Sequence, residues 1–172
     1  MPADIKELEK KLEILSGKEK ITTLIELGRN YLIIRDYKKS SNNFKEALSL
    51  SEKINYKEGI AISKKGLGTI YRYQDKHIIA INYYKEAFKI CMEIGNEKMG
   101  SNILNYLGID YWYLALYDKS LEYYFKSLKI KEKLNDKNGV ATAYNNIGLV
   151  YWNLKNSDKA LESFSKSLEL KE

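Results

Sequence analysis

The residues of this 172-residue chain best suited to recognition are three asparagines, two tryptophans and three cations. Asn102, Asn105 and Asn145 carry amides, which present a donor and an acceptor together and so suit the backbone of an extended peptide. Trp112 and Trp152 offer anchoring surfaces for an apolar or aromatic side chain, with Tyr73 and Tyr113 beside the same stripe. Arg29, Lys65 and Arg72 suit carboxylates or phosphates. Together they describe a groove for an acidic peptide bearing at least one large apolar residue. Two other readings remain open. The indoles can stack on each other or on Tyr113, with the asparagines solvated or bonded to neighbouring helices. Alternatively, Trp112, Trp152 and Tyr73 can act as stacking platforms for RNA or another polyanion, a mode that weakens steeply with salt where an aromatic-anchored peptide would not.

Catalytic chemistry finds no comparable set. His77 is the sole histidine, and its counterparts Tyr37, Tyr117 and Ser157 suggest that it fills a corner between helices. Zinc would need several ligands converging on one point. Cys91 aligns with Ser51, Lys131 and Lys171, which predicts an exposed, ordinary thiol with no base beside it. The glycines are isolated and form no phosphate loop or dinucleotide fingerprint. The expectation is a protein that is not an enzyme and needs no cofactor or metal.

What positions the recognition residues is a repeat. Leu27-Gly28, Leu67-Gly68, Leu107-Gly108 and Ile147-Gly148 recur with a constant step, 67 − 27 = 40, and each is followed by a tyrosine on the next turn, at Tyr31, Tyr71, Tyr111 or Tyr151. Further on come a small residue (Ser40, Ala80, Ser120, Ala160), an aromatic (Phe44, Tyr84, Tyr124, Phe164) and a second small residue (Ala47, Ala87, Ser127, Ser167). Leu104, Leu107, Gly108, Tyr111 and Leu114 share one helical face, as do Leu121, Tyr124, Phe125 and Leu128 beyond a break at Tyr117-Asp118. Each copy is therefore a helix hairpin. A glycine inside a helix costs roughly 1 kcal/mol against alanine, so its recurrence predicts close approach of the second helix. Packing of the Leu-Gly-Tyr face leaves free the positions six and three before each glycine and one, four and five after it. These are Thr22, Ile25, Arg29, Leu32 and Ile33; Ile62, Lys65, Thr69, Arg72 and Tyr73; Asn102, Asn105, Ile109, Trp112 and Tyr113; and Thr142, Asn145, Leu149, Trp152 and Asn153.

The pattern resembles the tetratricopeptide repeat (TPR) family. The usual period there is about 34 residues, with a proline late in the second helix. Here the period is 40 and the one proline is Pro2, so the chain is similar to the longer subtype of G-protein-regulator adaptors, kinesin light chains and bacterial signalling proteins. The turns at 55–59, 95–100 and 135–139 supply Asn and Gly for left-handed caps. The resemblance implies an all-α, right-handed solenoid of antiparallel helix hairpins. Repeats at 21–60, 61–100, 101–140 and 141–172 would form one solenoid domain behind a capping helix in residues 1–20. It also implies that the free stripe lines the concave surface and that asparagines there hold a peptide backbone. Trp112 and Trp152 would lie on adjacent first helices about 8–10 Å apart.

Net charge is +6, but Lys is interleaved with Glu, as at Lys45-Glu46, Lys85-Glu86 and Lys131-Glu132-Lys133, the pattern of solvated faces. The partner is expected to be a protein or peptide rather than nucleic acid or membrane. No apolar run approaches a membrane span, and the first residues alternate charged and apolar types, unlike a signal peptide. A soluble, cytoplasmic scaffold, adaptor or signalling module is the expectation. The capping helix is expected over Ala3 to Leu15, with Ile5, Leu8, Leu12 and Leu15 on one face. The last hairpin, with Leu161, Phe164 and Leu168, ends without a covering helix, which points to a fragment and leaves self-association or a water-tolerant end as alternatives.

Overall fold

The computed structural model describes residues 5–171; Ala3 and Asp4 of the expected capping helix, and Glu172 of the last repeat, lie outside the described residues. Within that range every regular element is a helix: α1 (Ile5–Leu12), α2 (Gly17–Ile33), α3 (Tyr37–Lys53), α4 (Lys57–Tyr73), α5 (His77–Glu93), α6 (Glu97–Tyr113), α7 (Tyr117–Lys133), α8 (Lys137–Asn153) and α9 (Ser157–Glu169). From α2 to α8 the helices are equal in length, and their first residues step evenly through 17, 37, 57, 77, 97, 117 and 137. A hairpin is two such steps. The chain forms two compact units, residues 1–94 and 95–172.

In the first unit α2 pairs with α3 and α4 with α5, and α3 packs on α4. The capping helix α1 lies on α2, where Leu8 is buried with Leu27 and Tyr31, and the Tyr31 hydroxyl donates to the Glu9 carboxylate. It is shorter than expected, because Ser16 and Gly17, the latter at φ 56°, already begin α2. Ile21, Leu24, Ile25, Phe44, Leu67 and Ile70 form the main core. The second unit repeats the plan, with α6 against α7, α8 against α9, and α7 on α8. Its core gathers Tyr124, Leu128, Val140, Ala143, Ile147 and Val150.

The repeat glycine does what its spacing predicts. A β-carbon on Gly108 would stand 2.6 Å from the Tyr124 ring, and one on Gly148 would stand 2.6 Å from Phe164. Ser120 Oγ then donates to the Gly108 carbonyl at 2.8 Å, as Ser40 Oγ does to that of Gly28 at 2.7 Å. Hairpin crossing is thus held by a ring over a bare backbone and, in these two copies, by a buried hydrogen bond.

Turns between helices are alike throughout. Asn55, Gly95 and Asn135 take positive φ as expected, but so do Arg35, Asp75, Ala115 and Lys155 inside each hairpin. The amide that follows each of these four donates back to the repeat tyrosine: Asp36 to Tyr31, Lys76 to Tyr71, Leu116 to Tyr111 and Asn156 to Tyr151, all within 2.9–3.0 Å. This closure satisfies a terminal carbonyl and requires a left-handed residue whatever its type. It also moves the break expected at Tyr117-Asp118 to Ala115-Leu116, with α7 starting at Tyr117. Asp36, Asn96, Asp136 and Asn156 cap the next helices, each accepting from the amide three residues on.

One ion pair in each unit occupies the same repeat position with its signs exchanged. Lys57 Nζ of α4 meets Glu93 of α5 at 2.9 Å, and Lys133 Nζ of α7 meets Glu97 of α6 at 2.7 Å. Other lysines pair as well, Lys64 with Glu86 between α4 and α5 and Lys126 with Glu122 within α7.

Candidate functional site

The stripe left free by hairpin packing is graded in depth. Residues three before each glycine lie deep: Ile25 and Asn105 are buried, while Lys65 and Asn145 are half-buried. Residues five after the glycine, Ile33, Tyr73, Tyr113 and Asn153, stand exposed at the helix ends. Position along the stripe therefore decides which side chains stay available.

In the second unit, Asn105 is only 8% exposed, and its Oδ1 accepts from Asn146 Nδ2 at 2.9 Å. This amide ties α6 to α8, one of the bonds between neighbouring helices open to the asparagines. Above it, Ile109, Trp112 and Tyr113 of α6 and Asn146 and Leu149 of α8 surround a pocket of about 140 Å³, with Tyr124 of α7 also lining it. The Trp112 ring meets Tyr113 edge-on, centroids 5.1 Å apart and planes at 79°. Its indole Nε1 is buried and has no acceptor among the described residues. Asn102 is half-buried, and Trp152 is 65% exposed. Asn146 was not on the expected stripe. Its counterpart in the preceding repeat is Tyr106, so the repeat alignment carries no sign of an amide there.

In the first unit the cations differ sharply. Arg29 is exposed. Lys65 is half-buried, and that burial, followed by repulsion from Arg29, holds its ammonium below the ordinary lysine value, with the Cys91 thiol acting weakly the other way. Arg72 lies over the Tyr73 ring, its guanidinium carbon 5.4 Å from the centroid, and Tyr73 stacks on Tyr37 at 6.2 Å with planes 18° apart. Arg29 thus acts on Lys65, and Arg72 on Tyr73, as two separate pairs along the stripe.

Cys91 corrects an expectation. It is fully buried, not exposed, and burial pushes its thiol up to about 11. Its repeat counterparts Ser51 and Lys131 are buried as well. All three lie in the last turn of a second helix, and for Ser51 and Lys131 the start of the following helix presses on that turn. A β-carbon on Gly59 would collide with Ser51 Oγ, and one on Gly139 would stand 2.9 Å from Lys131 Cδ. Polar residues enter because each finds a carbonyl: Ser51 Oγ donates to Ala47 at 2.6 Å, and Lys131 Nζ lies 3.5 Å from the Gly139 carbonyl. His77 is buried at the start of α5, its Nε2 3.9 Å from Asp75. Among the described residues no group of three or more His, Cys, Asp or Glu is placed to hold a metal ion, and no helix is long and apolar enough to cross a membrane.

The family model described as tetratricopeptide repeat matches residues 19–93 and 101–172. No curated protein sequence matches the chain. Among solved structures, a signal transduction ATPase with numerous domains from Pyrococcus horikoshii, which has a tetratricopeptide repeat sensor, superposes with a TM-score of 0.88 at 21% identity over 96% of this chain and 26% of its own. A Rap protein complexed with competence and sporulation factor gives 0.87 at 19%, covering 96% of this chain and 46% of that one. A Podospora anserina putative kinesin light chain with nearly identical TPR-like repeats gives 0.75 at 12%, covering 97% and 85%.

Proposed function

Since the chain belongs to the tetratricopeptide repeat family, we propose that it is a non-catalytic scaffold that holds an extended peptide or protein segment along its first-helix stripe. The observation that carries this reading is the pocket between α6 and α8, where Ile109, Trp112, Tyr113 and Leu149 surround an apolar space of about 140 Å³ beside the Asn105–Asn146 amide pair. A cavity of about 150 Å³ holds a benzene ring, so a single leucine, isoleucine or phenyl side chain fills this one. The free donors and acceptors of the amide pair can then meet the backbone next to that side chain. In the first unit, Arg29, Lys65 and Arg72 favour acidic residues in a bound segment. The sensor named in the Pyrococcus protein supports a docking or sensing role within a larger signalling protein.

The test is selection from a random peptide library, followed by titration of the winners against wild type and Leu149→Glu. Leu149 is exposed, so the variant keeps the fold while placing charge at the pocket rim. Winners sharing a large apolar residue, with binding lost in the variant, support the reading. Binding that collapses between about 50 and 200 mM salt instead indicates a polyanion.

A further inference from the structure

The carboxyl ends of α2 and α4, with the turn after α2, enclose a second and larger cleft, of about 440 Å³, lined by Leu32, Ile33, Arg35, Tyr37 and Tyr73. That volume lies within the range of ligand sites, roughly 300–1,000 Å³. Polar and apolar surface share its lining about equally, and two large apolar side chains stand out in it: Ile33 is 67% and Tyr73 is 55% exposed. The Tyr37 and Tyr73 rings are nearly parallel, and Arg72 covers one face of Tyr73.

Among the five residues that line it, Arg35 carries the one charge. Arg35 is exposed and forms no ion pair among the described residues. The carboxylate of neighbouring Asp36 is occupied as the cap of α3, accepting from the Lys39 amide at 3.0 Å. Asp75, in the matching turn after α4, stands 3.9 Å from His77 Nε2. The cleft therefore presents aromatic and aliphatic surface with a guanidinium at its rim.

We propose that this cleft is a slot for an aromatic side chain of an acidic peptide segment, the ring packing on Tyr73 and Ile33 and a neighbouring carboxylate pairing with Arg35. The inference rests on the peptide-binding reading and gives the first unit its own ring-accepting anchor. A ring gains here from edge-on packing against Tyr73, whose faces are taken by Arg72 and the Tyr37 stack, and from contact with an aliphatic surface, while Arg35 supplies a planar fork that matches a carboxylate.

The experiment follows isoleucine and leucine methyl signals of the full chain by NMR during titration with four probes: Ac-Glu-Trp-Glu-NH2, Ac-Glu-Leu-Glu-NH2, Ac-Lys-Trp-Lys-NH2 and AMP. The first should shift the Ile33 methyl through its ring current and bind about tenfold more tightly than the second and third, as expected for an anchor ring beside a paired charge. Arg35→Asn removes the charge while tolerating the left-handed backbone, and Tyr73→Ala removes the exposed ring; each should weaken the first probe by about tenfold. Three results overturn the slot. Tighter binding of AMP would make it a nucleotide site. Shifts confined to Leu149 and Ile109 would leave peptide binding intact and remove this anchor. An Ile33 methyl unmoved by every peptide, with no other signal moving, would remove both.

Discussion

Phe44 stands over Gly66 of the following repeat even more closely than over Gly28 of its own: β-carbons at the two glycines would lie 2.6 Å and 3.0 Å from its ring. One aromatic side chain thus fixes both a hairpin and the contact between hairpins. Gly66→Ala should destabilise by about 1–3 kcal/mol through overpacking, although alanine is the better helix former by roughly 1 kcal/mol. Urea unfolding of the single and double variants checks this. In a Phe44→Leu background the added methyl has room, so the loss should shrink; an equal loss in both backgrounds would show that Phe44 is not its cause.

Trp112 carries a buried N–H without an acceptor among the described residues. Leaving such a donor unpaired costs about 1–3 kcal/mol, so Trp112→Phe, which removes it and keeps an aromatic ring, should leave stability within about 1 kcal/mol of wild type. Trp112→Ala should cost about 3 kcal/mol or more. A phenylalanine variant as damaged as the alanine one would mean that the indole nitrogen is satisfied in solution.

Cys91 should resist modification. With its thiol raised to about 11 by burial, the thiolate is scarce near neutral pH and the sulfur is screened from reagent. Alkylation by iodoacetamide at about pH 8 should run at least about tenfold slower in the native protein than in urea. Equal rates would place the thiol at the surface.

Lys131 offers a pH-dependent test. Burial holds its ammonium below the ordinary 10.5, against a smaller opposing pull from Asp136. The folded state therefore gives up this proton before the unfolded state does. The cost of the buried charge is fully present below the folded-state value and is relieved as pH rises from there towards 10.5. Relative to Lys131→Met, wild type should be less stable at neutral pH and should close the gap as pH approaches about 10. A gap independent of pH, measured by urea unfolding, would show that the amine reaches water.

The hairpin plan was legible because its signals are local and repeated: Gly108 with Tyr124 and Ser120, the Asn55 and Asn135 turns, and the aromatic stripe all keep the same step along the chain. Cys91 was misread because its counterparts are polar, and residue type does not show that Ser51 and Lys131 reach carbonyls inside the contact. The left-handed residues Arg35, Asp75, Ala115 and Lys155 left no mark, since the backbone closure onto the tyrosine carbonyl sets their conformation. Asn105 belonged to the stripe by spacing, yet its partner Asn146 lies just off that stripe, so their hydrogen bond depends on the angle between α6 and α8. Depth along the stripe is likewise a product of helix crossing, which periodicity cannot encode.

The exchanged signs of Lys57–Glu93 and Glu97–Lys133 bear on how repeats of one pattern find their own neighbours while folding. A hairpin that borrowed its second helix from the other unit would set Lys57 against Lys133, or Glu97 against Glu93. Each correct pair is exposed and worth at most about 1 kcal/mol, but the wrong pairing turns attraction into repulsion. The two ion pairs thus act as an address, distinguishing helices whose apolar faces are nearly interchangeable.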